Sequence, residues 1–149
     1  MTHAIVSVHP EHVESIVAGH KTVEVRSRRM HLSAGTLLWL YATLPVGAIR
    51  AVSRVKGVTY MSSTDAWNVF CGSMALAREE FKSYVNGSRC VSVIELSSVV
   101  LLANPMSLES IRERARSYQP PQFFHKVGIG TPIYRILKRS YPRFFRNAA

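Results

Sequence analysis

An α+β domain built on a small mixed barrel, with helices covering its openings, is the architecture that the 149-residue sequence predicts. Three observations lead there. At 47% hydrophobic residues the chain can bury one sizeable core and has the length of a single domain. Strand-like segments recur at 4–8, 22–26, 37–42, 48–60 and 90–102, set apart by turn and cap chemistry. The helical segments fall between them without the βαβ rhythm of a doubly wound sheet, which favours a small barrel.

Each element has its own signal. Ala4 to Val8 is a short β-branched run, and His9-Pro10-Glu11 then opens a helix, with proline early and an acid at the positive end of the dipole. Val13, Ile16 and Val17 recur at helical spacing, and Gly19 is the natural stop. Thr22-Val23-Glu24-Val25-Arg26 alternates strictly, with the valines on one face and Thr22, Glu24 and Arg26 on the other. Leu37 to Ala42 is apolar on both faces and reads as a buried strand. A turn at Pro45 and Gly47 leads into the long segment from Ala48 to Tyr60. Ser62-Ser63-Thr64-Asp65 caps helical material running in pieces to about Tyr84, closed by Asn86-Gly87. Strand character returns from Cys90 to Leu102. Ser107 caps a short helix to about Arg116, and Gln119-Pro120-Pro121-Gln122 ends it. Thr131-Pro132 starts a tail helix with Ile133, Ile136 and Leu137 on one face and Arg135, Lys138 and Arg139 beside or opposite it. Trp39 and Trp67 read as core. The division is a domain over 1–126 and a basic extension over 127–149, docked on the barrel by its helix.

Charge is the unusual quantity. Nineteen Lys and Arg, of which 14 are Arg, stand against nine acids, for a net charge of +10. This predicts attraction to polyanions, and an arginine fork suits phosphate. The last acid is Glu113, and eight bases and no acids follow it, so the body is near neutral and +8 sits in the last 36 residues. On its helix face the tail offers Arg135, Lys138 and Arg139, continued by Tyr141, Arg143, Phe144, Phe145 and Arg146, for phosphate contact and base stacking. The same tail also has the makings of a solvated terminal helix or of a membrane-surface helix. Cys71 and Cys90 form no CxxC pair and, without a charged-then-apolar leader, fit a reduced cytoplasmic protein. No run reaches the length of a membrane span, and the six histidines have no metal-site spacing, so neither a metal nor another cofactor is expected.

Two motifs carry a family resemblance: Ser7-Val8-His9-Pro10-Glu11, then Gly19-His20-Lys21-Thr22-Val23-Glu24-Val25-Arg26. They resemble the S-I-K-P-E and G-x-K-x-x-E-x-R segments of the ASCH family of PUA-like domains. Further matches follow in order: Leu40-Tyr41-Ala42-Thr43, Arg78-Glu79-Glu80-Phe81 to Tyr84 and Gly87, Ile94-Glu95-Leu96, and Pro105-Met106-Ser107-Leu108 leading to Pro120-Pro121-Gln122-Phe123. Together they span residues 4 to 126. The resemblance implies a compact β-barrel closed by helices, with a cleft at the G-x-K-x-x-E-x-R segment that takes RNA or a nucleotide-like ligand. Some members of the family are hydrolases or ribonucleases, and the family also admits transcription-regulatory and protein-interaction modules.

The expected cleft residues are Ser7, His9, Lys21, Thr22, Glu24, Arg26, Tyr41 and Gln122. Lys21 and Glu24 are the catalytic pair if the protein is a ribonuclease or a hydrolase of a modified nucleoside. Arg28 and Arg29 extend a phosphate path beside the motif strand, for RNA or alternatively DNA. Glu24 and Arg26 share a strand face and also suit a structural ion pair, with each other or with Arg28. Lys21 lies three residues from Glu24, so the two converge only if Lys21 belongs to the turn after Gly19 or the strand is bulged. Tyr41 either stacks on a base or caps the core. Two departures from the family pattern matter. Family members resembling amidohydrolases of acetylated cytidine have threonine where this chain has Glu24, and their further acid has no secure counterpart among Glu79, Glu80 and Glu95, so that activity is not carried over. His9 stands where the first motif usually has lysine, which makes one cleft cation titratable.

Overall fold

In the computed structural model, which describes residues 1–143, the chain forms six strands and five α-helices. The order is β1 (His3–Val8), α1 (Pro10–Val17), β2 (Val23–Arg26), β3 (Leu37–Ala42), β4 (Ala48–Ser62), α2 (Ser63–Phe70), a 3-10 turn at Cys71–Ser73, α3 (Arg78–Val85), β5 (Cys90–Ser107), α4 (Leu108–Arg112), β6 (Phe124–Lys126) and α5 (Pro132–Arg139). The strands make one curled, half-barrel sheet in the order β2-β5-β4-β3-β1-β6. All neighbours are antiparallel except β1 and β3, whose parallel register runs from His3 opposite Leu37 to Val8 opposite Ala42. The long strands β4 and β5 bend through three register shifts, and bulges of this kind curl a sheet.

The apolar run Leu37–Ala42 is explained by its position: β3 is covered on both faces. Its odd-numbered residues Leu37, Trp39 and Tyr41 join Ile5, Ile49, Met106, Ile111, Ile133 and Leu137 on the face under α4 and α5. The even-numbered Leu38, Leu40 and Ala42 join Val6, Val8, Val13, Ile16 and Ile94 under α1. A third cluster packs α2 and α3, through Ala66 and Phe81, on Val23, Val25, Val91 and Val93. The tail helix is thus part of the core, with Leu137 fully buried and Thr131 capping its start by accepting from the Tyr134 amide.

Three boundaries differ from the sequence expectation. β5 runs to Ser107, because its second half pairs with the start of β4. The helix after Ser107 ends at Arg112, where the following turns place Ala115 and Tyr118 in the core. Residues 124–126 form a sixth strand, β6, on the outer edge of β1, with Val6 opposite Phe124 and Ala4 opposite Lys126. A three-residue strand gives almost no periodic signal, and its existence depends on a partner over a hundred positions away.

Candidate functional site

A cleft of about 370 Å³ opens at the C-terminal end of β1. Ser7 and Val8 form its floor, His9 just before α1 and His12 within it one wall, and Lys21, Glu24, Val25 and Arg26 another. Thr43 follows β3 into it, α3 and the residues before it supply Leu76, Glu80 and Tyr84, and Gln122 and Phe123 close the far side. That volume falls in the range of small-ligand sites.

Lys21 reaches Glu24's side of the strand because it lies outside β2, in the turn that Gly19 makes at φ +83°. The amides of His20 and Lys21 both donate to the Ser15 carbonyl, which folds the chain back against α1. The ammonium is then buried, 2% exposed, and its Nζ donates to the Met74 carbonyl at 2.6 Å. Burial pushes the Lys21 pKa down; Glu24 and, less strongly, Glu80 oppose that shift, and Arg26 adds to it.

Glu24 and Arg26 pair with each other. Arg26 Nε lies 3.4 Å from Glu24 Oε1 without hydrogen-bond alignment, while its terminal nitrogen donates to the Ser7 carbonyl at 2.9 Å. Glu24 Oε2 is buried with no hydrogen-bond partner in the protein. An ionised oxygen left this way costs about 1–3 kcal/mol or more, which a ligand donor would recover. Ser7 holds the far wall in place: its hydroxyl donates to the Pro121 carbonyl at 2.6 Å and its amide to the Phe123 carbonyl at 3.0 Å.

His12 is a cleft residue the sequence reading missed, although its position one turn after His9 was a usable signal; the two rings sit 6.2 Å apart. Burial, followed by the Lys21 charge, holds the His12 pKa below the ordinary value, against Glu24 and Glu11. Thr43, Tyr84 and Phe123 were also missed, though each lies in a segment quoted for the resemblance. Of the three acids weighed, Glu80 lines the cleft, with its carboxylate accepting from the Ala77 amide at the start of α3.

Two expected residues are not brought to the cleft. Tyr41 is 5% exposed and packs on the opposite face of the sheet, because its odd position in β3 points it under α4 and α5. Thr22 is exposed and precedes β2: its amide donates to Ser73 and its carbonyl accepts from Leu96, so its backbone serves the turn and its side chain leaves the cleft. Arg28 and Arg29 are exposed and line a neighbouring cavity of about 260 Å³. Arg135, Lys138, Arg139 and Arg143 are exposed along the tail and none lines the cleft; Lys138 borders a separate cavity with His3, and Arg146 lies outside the described residues. Among the described residues no group of His, Cys, Asp or Glu could hold a metal ion, and no helix is long and apolar enough to cross a membrane.

A curled mixed sheet closed by helices is a PUA-like fold. A family model, the ASCH domain, matches residues 6–100, and the chain belongs to that family. The ASCH domain-containing ribonuclease of Zymomonas mobilis is 26% identical over 119 residues, 80% of each chain. The crystal structure of ASCH from Zymomonas mobilis superposes with a TM-score of 0.84 at 23% identity, covering 91% of this chain and 94% of that one. Human THYN1, solved in complex with 5-methylcytosine-containing DNA, shares the fold more distantly: TM-score 0.58, 6% identity, 95% and 99% covered.

Proposed function

We propose that the cleft binds a nucleotide of an RNA chain, with the exposed arginines adding backbone affinity. One observation carries this reading: the buried, unpartnered Glu24 Oε2 faces a cleft that also presents Lys21, His12 and Arg26. A nucleotide supplies both things such a site lacks. Its sugar hydroxyl or base N–H can donate to the carboxylate, and its phosphate can accept from the cations. Tyr84 and Phe123, each about two-fifths exposed at the rim, offer the ring faces on which an unpaired base stacks. The curated relative named as a ribonuclease supports the same ligand class.

The test is equilibrium binding of an unstructured RNA oligonucleotide and its deoxy counterpart as salt is raised. RNA binding that weakens with salt and falls at least tenfold in Glu24→Gln and Lys21→Ala is the expected result. No binding at low salt, or binding indifferent to both substitutions, overturns the reading.

A second reading, ribonucleolytic cleavage, is favoured by the paired presence of lowered-pKa bases and a carboxylate. Glu24 would take the 2′-hydroxyl proton as that oxygen attacks phosphorus. The P–O5′ bond then breaks, and His12 or Lys21 protonates the departing oxygen, leaving a 2′,3′-cyclic phosphate and a 5′-hydroxyl. Glu24→Gln should slow cleavage about 10²-fold or more, and a 2′-deoxy substitution at the scissile position should abolish it. Product that persists in both cases rules this route out.

A further inference from the structure

The cleft does not end at Arg26. Arg26, Tyr84 and Phe123 form a wall shared with the neighbouring cavity, which continues past Arg28 and Arg29 to Met30 and Phe124. Both new arginines are stacked on aromatic rings: the Arg28 guanidinium lies 4.3 Å from the Phe123 ring centroid, and that of Arg29 lies 5.0 Å from the Tyr60 centroid. A guanidinium held over a ring face is positioned at reduced conformational cost and can still offer N–H groups to a phosphate. The second cavity therefore has the chemistry of the first in a different balance. Its two additional cations come with no carboxylate in its lining, where the first holds Glu24 and Glu80.

We propose that the two cavities are consecutive subsites for one nucleic-acid strand. The first takes a nucleotide through Glu24 and Lys21, and the second takes the adjoining nucleotide against Arg28 and Arg29, beside Phe123. Arg26, on the shared wall, faces the phosphodiester that joins them. This assignment rests on the nucleotide-binding reading above and extends it: the unit recognised is a phosphodiester-linked pair rather than a free nucleoside or mononucleotide. A base that stacks on the Tyr84 or Phe123 ring must leave its place in a duplex, so the strand recognised is single-stranded.

The experiment compares the affinities of a nucleoside monophosphate, the corresponding dinucleotide and a six-nucleotide unstructured RNA at fixed salt. The dinucleotide should bind at least tenfold more tightly than the monophosphate. In Arg28→Ala/Arg29→Ala that ratio should collapse toward one. Arg114→Ala/Arg116→Ala, which removes the same charge from exposed positions outside both cavities, controls for non-specific attraction and should keep the ratio. All four positions are exposed, and thermal melting confirms that each variant is folded. A ratio near one in the native protein, or a ratio that survives the Arg28/Arg29 exchange, overturns the second subsite while leaving the first intact. Absence of binding by all three ligands overturns the nucleotide reading itself.

Discussion

Lys21 and Glu24 show how much of a site can be read from residues alone. Their types and spacing were visible, and so was the condition for their meeting, namely that Lys21 sit in the turn after Gly19. Its fulfilment required tertiary partners, Ser15 and Met74, that no local pattern names. Tyr41 takes the core alternative, which local sequence left open: strand parity decides which face an aromatic takes, and parity in a strand covered on both sides carries no polar mark. The electrostatics make a specific prediction. Glu24's charge is the strongest influence opposing burial at Lys21, so Glu24→Gln should drive the Lys21 pKa still lower, measurable by NMR titration of its labelled side chain. A second prediction concerns acid stability. The pKa values of His3 and His12 are held below 6.5 chiefly by burial. As pH falls from 6.5, the unfolded chain takes up protons that the folded one refuses, so stability declines until the folded pKa values are passed. His12→Gln should flatten the dependence of melting temperature on pH between about 5 and 6.5.

At the level of elements, α3 and α5 make separate predictions. α3 is capped by Ala77, whose backbone already has extended cap geometry at φ −68°, ψ 154°, and whose amide donates to Glu80 Oε1, yet alanine has no side-chain oxygen to accept the Glu80 amide in return. Ala77→Ser would complete the reciprocal cap and should stabilise the protein by about 1 kcal/mol in denaturant unfolding. Because Glu80 lines the cleft, the same change also fixes one of its walls. The amphipathic pattern of α5 was legible from sequence, and its buried stripe now explains what deletion would do: removing 128–149 strips Ile133 and Leu137 from the core, so the loss would be structural. Neutralising the exposed face is the cleaner test. Arg135→Gln/Lys138→Gln/Arg139→Gln should leave the fold intact and lower the slope of log affinity against log salt by up to about 2, at ~0.7 per phosphate contact on a single strand. An unchanged slope would exclude the tail from nucleic-acid contact.

For the molecule as a whole, charge and cleft separate along β1. The cleft opens beyond Val8, whereas Lys138 of α5 lines a separate cavity with His3, five residues back along β1, a rise of roughly 16 Å at ~3.3 Å per residue. A strand gripped in the cleft must therefore extend well past it before reaching the tail, so oligonucleotides should gain a second increment of affinity only once long enough to span that distance. The uneven division of charge was visible in the sequence. Its geometry was not, because β6, which carries the chain from one end of β1 to the other, leaves so slight a trace there. That short strand also sets a schedule. Ser7 emerges from the ribosome early, but its partner Pro121 follows 114 residues later, and Gln122 and Phe123 with it. Until then β1 has a bare edge and the pocket lacks a side. A nascent chain stalled before residue 121 should fail to retain RNA at the cleft, while one whose residues up to 143 have cleared the ribosome should hold it. On the proposed function, synthesis is thereby coupled to competence: the growing chain acquires its cleft only once the residues that close it have been made.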